Sequence, residues 1–241
     1  MLEDILDYER NTFLWLNSCN SMFGDQFMWL FSSKIGWTPL AVMFIIILSY
    51  KNRERWKEIL LIFVAIALVI TLCDQFSSSF CKPFFARFRP THHHEFMDSV
   101  NTVFDYRGGR YGFISSHAAN AFGFATLTSL IFKRHFYSIM LFIWATVNSY
   151  SRIYLGVHFI TDIIPGIISG ILFGWIVYKI YTITNRYIIV GNTQNVAVGG
   201  INSAPQKGLN LIIYMLILTI SVMAIISLLY TLNLTPAFTM K

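Results

Sequence analysis

The chain has 241 residues, of which 55% are hydrophobic, 17% aromatic and only 12% charged, with a mean hydropathy of +0.56. A soluble domain carries about 25% charged residues, so this composition excludes an ordinary soluble protein and indicates an integral membrane one. The net charge of +6 does not call for a nucleic-acid partner, because cationic loops at the inner membrane surface and arginines within a candidate site account for it.

The N-terminal MLEDILDYER is acidic and lacks the basic flank of a cleavable signal peptide. Over residues 1–23, Ile5, Leu6, Phe13, Trp15 and Leu16 alternate with polar positions, which predicts an amphipathic helix lying at the membrane surface. A crossing helix needs about 20 apolar residues. Six stretches qualify: 27–49 (broken by Lys34, with Pro39 as a kink), 58–76, 113–132, 136–154, 157–179 and 209–231. The expected fold is all-α, a single-domain bundle of six transmembrane helices with an N-terminal interfacial helix. Residues 180–208 read as a polar, Gly/Asn-rich loop. Cys19, Cys73 and Cys81 make neither a disulfide framework nor a zinc spacing.

Basic residues set the orientation. Lys51, Arg53, Arg55, Lys57, Lys133, Arg134, Lys179, Arg186 and Lys207 fall in three loops that the positive-inside rule assigns to the cytoplasm. Both termini, the loop 77–112 and the turn near 155 then face outward. The outward loop is basic too, with Lys82, Arg87, Arg89, Arg107 and Arg110. Those charges break the rule and therefore need a task of their own.

Three polar clusters stand out against the apolar background. The first is SRIYLGVHFITD, residues 151–162. His158 and Asp162 are four apart, so on a helix they share a face. A carboxylate beside an imidazole fixes its tautomer and raises its basicity. Arg152 is a permanently charged fork suited to phosphate. The second cluster is KPFFARFRP, where Lys82 and Arg89 are seven apart, about two helical turns, and so point the same way. Pro90 is expected to end that segment. Two cations side by side repel unless an anion lies between them. The third is GFISSH, residues 112–117, in which Ser115 or Ser116 caps the next helix. The N–H groups and dipole of a helix start attract anions, and His117 lies in the first turn. His92, His93 and His94, with Glu95 and Asp98 nearby, cannot all face one metal and read as a solvated loop.

All three clusters fall at outward ends of the predicted spans. Together they make an anion cradle around a nucleophile and an acid, which is what phosphoryl transfer needs. No carboxylate cluster is placed to hold Mg²⁺, so no metal or other cofactor is expected and fixed cations take its role.

The order Lys-x6-Arg-Pro, Ser-x-His, Ser-Arg-x5-His-x3-Asp, carried by residues 82–162, resembles the type 2 phosphatidic acid phosphatase family of integral membrane lipid phosphatases. The resemblance implies that His158 is the nucleophile that forms a phosphohistidine, Asp162 its partner and His117 the general acid. It makes Lys82, Arg89, Ser115, Ser116 and Arg152 the phosphate-binding set. The family's second motif is usually Pro-Ser-Gly-His, whereas here it is Ile114-Ser115-Ser116-His117. The expected substrate is a membrane lipid phosphate, with the site facing the periplasm from a bacterial inner membrane. Lipid A phosphate ranks first, ahead of undecaprenyl diphosphate and phosphatidylglycerol phosphate. Arg107 and Arg110, flanking Gly108 and Gly109, are candidates for binding the headgroup. The competing class is a lipid transporter or scaffold with a dead site. Against it stand all seven motif side chains.

Overall fold

The computed structural model describes residues 2–187 and 206–235, so most of the expected loop 180–208 lies outside the described residues. Every regular element among the described residues is helical. In chain order these are α1 (Leu2–Asn17), α2 (Met22–Ser32), α3 (Lys34–Lys51), α4 (Trp56–Asp74), α5 (Lys82–Phe85), α6 (Ser116–Phe132), α7 (His135–Tyr154), α8 (Ile160–Asn185) and α9 (Leu209–Thr231). Among the described residues, four helices are long and apolar enough to cross a membrane: α3, α8, α9 and the run Arg53–Phe85 that carries α4 and α5. Between α4 and α5 this run widens to a π-helix over Gln75–Cys81.

The stretch 27–49 is not one span. It breaks at Ser33, whose backbone is extended and whose hydroxyl accepts from the N–H groups of Ile35 and Gly36. This is an N-cap, so Lys34 opens α3 rather than interrupting a longer helix. Helix α2 instead lies across one end of α7. Near its start, the Tyr154 hydroxyl accepts from the Ser21 N–H at 3.2 Å and donates to Asp25 at 2.8 Å. At its far end, Ser32 contacts Arg152. The polar join Ser32-Ser33-Lys34 is short and flanked by apolar residues on both sides, which is why a window average merges the two helices. Helix α8 also starts later than residue 157 and runs on to Asn185.

The largest apolar core lies among α3, α4, α6, α7, α8 and α9. A second cluster joins Phe13 of α1 to Phe96, Phe159 and Ile163 beneath the end of the bundle that carries the polar clusters. Asn17 fixes α1 there by donating to the carbonyls of Ile153, Tyr154 and Asn101.

Helices α6 and α8 meet backbone to backbone through small residues. Gly166, Gly170 and Gly174 recur every fourth position on α8. A Cβ at 166 would stand 2.8 Å from the Ser115 carbonyl oxygen, and one at 174 would stand 2.8 Å from that of Gly123. Gly170→Val must therefore push the helices apart, an overpacking cost of about 2 kcal/mol. A lowered midpoint of thermal unfolding in detergent is expected. An unchanged midpoint would show that the close approach is not required.

Candidate active site

His158 sits in the turn joining α7 to α8. The turn closes through the Val157 N–H donating to the Arg152 carbonyl at 3.0 Å. Gly156 has φ +76°, and a Cβ there would press on Val100 and the Asn101 carbonyl. The His158 side chain is buried, with Nδ1 3.4 Å from Asp162 Oδ2. The two do not share a helix face as the spacing suggested, because α8 begins only at Ile160. They meet because Asp162 folds back over the first turn, its Oδ2 also accepting the Phe159 N–H at 3.1 Å. Gly112 makes room for that carboxylate, since a Cβ would stand 2.8 Å from Oδ2.

The cations arrive by separate routes. Helix α5 ends at Ala86, which is left-handed at φ 45°, so Lys82 and Arg89 are not two turns of one helix. Arg87–Arg89 runs extended beside Tyr111 and Gly112, with the Arg89 N–H on the Arg110 carbonyl at 3.1 Å and the Gly112 N–H on the Arg87 carbonyl at 2.9 Å. Arg89 is buried, its guanidinium donating to the carbonyls of Tyr111 (3.1 Å) and Val157 (3.4 Å). Lys82 reaches the start of α6, donating to the Ser116 hydroxyl at 2.6 Å. Arg152 is buried at the end of α7, against Ser32 and 3.4 Å from the Tyr106 hydroxyl, to which it donates. Its Nε has no partner within the described residues.

Ser115 is the N-cap of α6. Its hydroxyl accepts the Ala118 N–H at 3.4 Å and its own N–H donates to the Asp162 carbonyl at 2.9 Å. That second bond ties the start of α6 to the first turn of α8. Ser116 and His117 open the helix. His117 lies within electrostatic reach of Arg152, His158, Lys34 and Arg89.

Burial, together with the charges of Arg89, Arg152, Lys82 and Arg87, holds the His158 imidazole well below the ordinary histidine value. Asp162 still favours the charged imidazole, but its effect does not prevail. Desolvation and four cations outweigh one carboxylate that is itself shared with Arg87. Burial and the neighbouring Arg152 bring Arg89 down to about 10, which leaves it charged at neutral pH. For Tyr106, burial acts upward, but Arg152 beside it prevails and lowers the phenol.

Arg107 and Arg110 stand apart from this centre. With Phe88, Thr91, His92, His94 and Met97 they line a neighbouring cavity of about 460 Å³. Arg110 lies over the rings of Phe88 and Tyr111, at 5.1 and 5.6 Å. The three histidines diverge: His92 lies against Thr91, His93 near Arg10 and His94 on Phe88.

Several participants were not legible in the sequence motifs. Arg87 donates to Asp162 at 2.8 Å and to Glu9 of α1 at 2.7 Å, and it covers the Phe159 ring at 4.7 Å. Glu9 in turn contacts Thr161. Ser77 and Ser78 hold Ser116 from the widened turn, at 2.7 and 3.2 Å. Tyr106 comes from a loop with no helical period. The basic excess of the loop was the one available signal for Arg87. Arg87→Ala leaves the buried Asp162 without its ion partner and should cost about 3 kcal/mol. Thermal unfolding checks this, and Glu9→Gln should lower the midpoint less.

A family model described as the PAP2 superfamily matches residues 58–186, more than half of the chain and all three polar clusters. The chain belongs to the PAP2 superfamily. Among curated proteins it is 50% identical over 180 residues to the lipid A 4'-phosphatase of Porphyromonas gingivalis, covering 75% of each chain. It is 38% identical over 183 residues to the lipid A 4'-phosphatase of Bacteroides thetaiotaomicron, covering 75% of this chain and 80% of that one. Among solved structures it resembles Aquifex aeolicus LpxE at 29% identity and a TM-score of 0.53, over 70% of this chain and 93% of that one. The matched PAP2 region begins in α4 and ends after α8, so α1, α2, α3 and α9 lie outside it.

Proposed function

We propose that this PAP2 lipid phosphatase removes a phosphate from a lipid A-type glycolipid through a phosphohistidine on His158. The observation that carries the reading is a buried imidazole held by Asp162 through Nδ1 and surrounded by Lys82, Arg87, Arg89 and Arg152. With the Nδ1 proton donated to Asp162, the lone pair on Nε2 attacks phosphorus. The bond from phosphorus to the lipid oxygen breaks, and its electron pair leaves on that oxygen with a proton from His117. Water then gives its proton to His117 and attacks the phosphohistidine, releasing inorganic phosphate and restoring His158. Lys82, Arg89, Arg152 and the first N–H groups of α6, at Ser116 and His117, bind the equatorial oxygens as charge builds. Ser115 contributes by capping that helix. No step needs a metal, because fixed cations occupy the positions a metal takes elsewhere.

Six helices, α3, α4, α6, α7, α8 and α9, cross the inner membrane in this reading, while α1 and α2 lie at the outer surface. Gln206 donates to the Phe132 carbonyl at 2.8 Å, and Asn52 to that of Lys207 at 3.0 Å. Those bonds gather the loop carrying Lys51, Arg53 and Arg55 with Lys133 and Lys207 at the end of α6 opposite His117. The positive-inside rule assigns that end to the cytoplasm and the site to the periplasm. Arg107 and Arg110 receive the second phosphate of a bisphosphorylated headgroup.

Purified protein given bisphosphorylated lipid A, undecaprenyl diphosphate and phosphatidylglycerol phosphate in separate reactions should release phosphate fastest from lipid A. No release from lipid A, with turnover of another lipid, would reject the substrate assignment.

A further inference from the structure

Helix α1 lies outside the matched PAP2 region, yet one of its faces reaches the segments that set the His158–Asp162 pair. Glu9, Phe13 and Asn17 are spaced four apart, so they form one stripe along the helix, and all three are buried. Asn17 donates to the carbonyls of Ile153 and Tyr154, at 3.2 and 2.9 Å, where α7 runs into the turn that carries His158. Phe13 packs on Phe159, the residue after His158, with ring centroids 5.3 Å apart. Glu9 accepts from Arg87 at 2.7 Å and also from the Thr161 hydroxyl in the first turn of α8.

Phe13 and Asn17 hold shape. Glu9 brings a charge, and a buried carboxylate is costly unless it is paired. Its partner is the same guanidinium that holds Asp162. Arg87 Nη2 donates to Glu9 Oε2, and Nη1 donates to Asp162 Oδ1 at 2.8 Å. The other Asp162 oxygen faces His158 Nδ1 at 3.4 Å. A continuous chain therefore runs from Glu9 through Arg87 and Asp162 to the imidazole.

With one cation between two carboxylates, the chain behind His158 is net negative. Without the Glu9 charge, Arg87 would cancel Asp162 and the imidazole would be backed by a neutral pair. On its other sides the ring faces Arg89, Arg152 and Lys82, with His117 also in electrostatic reach. The Glu9–Arg87–Asp162 chain is what opposes those cations.

Resting on the phosphohistidine reading above, we infer that Glu9 is a positioning residue for phosphoryl transfer, keeping the Asp162 side of His158 net negative through Arg87. The phosphorylated ring retains its Nδ1 proton and so carries positive charge, which a net negative backing stabilises and a neutral one does not. Glu9 touches neither the substrate nor the phosphate. It acts on the rate of the chemical step and leaves phosphate binding to Lys82, Arg89 and Arg152. Helix α1 thus supplies part of the electrostatics of a site whose reacting groups all lie within the matched region.

The test measures kcat, KM and the pH profile of the full chain in detergent with bisphosphorylated lipid A, for the intact protein, Glu9→Gln and Glu9→Asp. A unit charge about 10 Å away in an effective dielectric of about 20 alters a rate on the order of tenfold. Glu9→Gln, which keeps the side chain's size, should therefore lower kcat per folded molecule by about that factor with KM unchanged. Losing a negative charge makes the imidazole harder to protonate, so the acid limb of kcat/KM should move to lower pH by about one unit. Glu9→Asp keeps the charge and should recover most of kcat and the position of the limb. A merely structural Glu9 would lower the thermal midpoint and move neither readout. An unchanged kcat and limb in Glu9→Gln, or a Glu9→Asp variant that falls as far as Glu9→Gln, would overturn the inference and leave the phosphohistidine reading standing. Absence of covalent phosphate on His158 in the intact protein during turnover would overturn both.

Discussion

Replacing His158 with glutamine should lower kcat by at least about 10⁴-fold, because the bond to phosphorus has no other atom to form on. Glutamine fills much of the same space and keeps a polar group toward Asp162, so thermal unfolding should shift little. The combination separates an enzyme from a scaffold that merely carries the fold. Dependence on pH gives an independent reading. Burial and the charges of Arg89, Arg152, Lys82 and Arg87 keep His158 neutral below the ordinary histidine value of 6.5. Protonation removes the nucleophile, so the acid limb of kcat/KM should fall below pH 6.5 in the intact enzyme. Arg89→Gln removes one of the charges that favour the neutral form, so in that variant the limb should move to higher pH. A limb that stayed in place or moved lower would contradict the electrostatic account.

Asp162→Asn carries the second large effect. The carboxylate accepts from His158 Nδ1, the Phe159 N–H and Arg87. An asparagine oxygen still accepts the backbone N–H at the start of α8, so the helix keeps that bond. What is lost is the charge that selects the Nδ1–H tautomer and stabilises the imidazolium that develops as His158 is turned over. The analogous loss in other His–Asp pairs costs about 10⁴-fold in kcat, and a fall of at least about 10³-fold is expected here. The effect should lie in kcat rather than KM, since Lys82, Arg89 and Arg152 still bind phosphate. A variant with full kcat and weakened binding would make Asp162 a purely structural residue.

The polar clusters were readable because charge inside an apolar chain is costly and so draws attention to itself. Lys82, Arg89, His117, Arg152, His158 and Asp162 stand within or beside otherwise apolar stretches. The bounds of the helices α4, α6, α7 and α9 followed from hydropathy to within a few residues. Three features were hidden for physical reasons. The break at Ser33 is marked only by the short polar run Ser32-Ser33-Lys34 between two apolar stretches, which reads equally as an interruption within one span. The end of α5 depends on Ala86 in a left-handed conformation that its side chain gives no cause to expect. The Glu9–Arg87–Asp162 chain joins residues from α1, the loop and α8, so no local period encodes it. The Gly166-Gly170-Gly174 stripe was present in the letters, but its partner surface on α6 becomes visible only once the helices are packed.

Everything in the proposed chemistry turns on the buried imidazole of His158 taking the phosphate. Stopping turnover within the first cycle and mapping the modified peptide by mass spectrometry tests it most directly. An acid-labile, base-stable phosphate on His158 of the intact enzyme is expected. A covalent phosphate on another residue, or turnover that proceeds with His158 never modified, would contradict it.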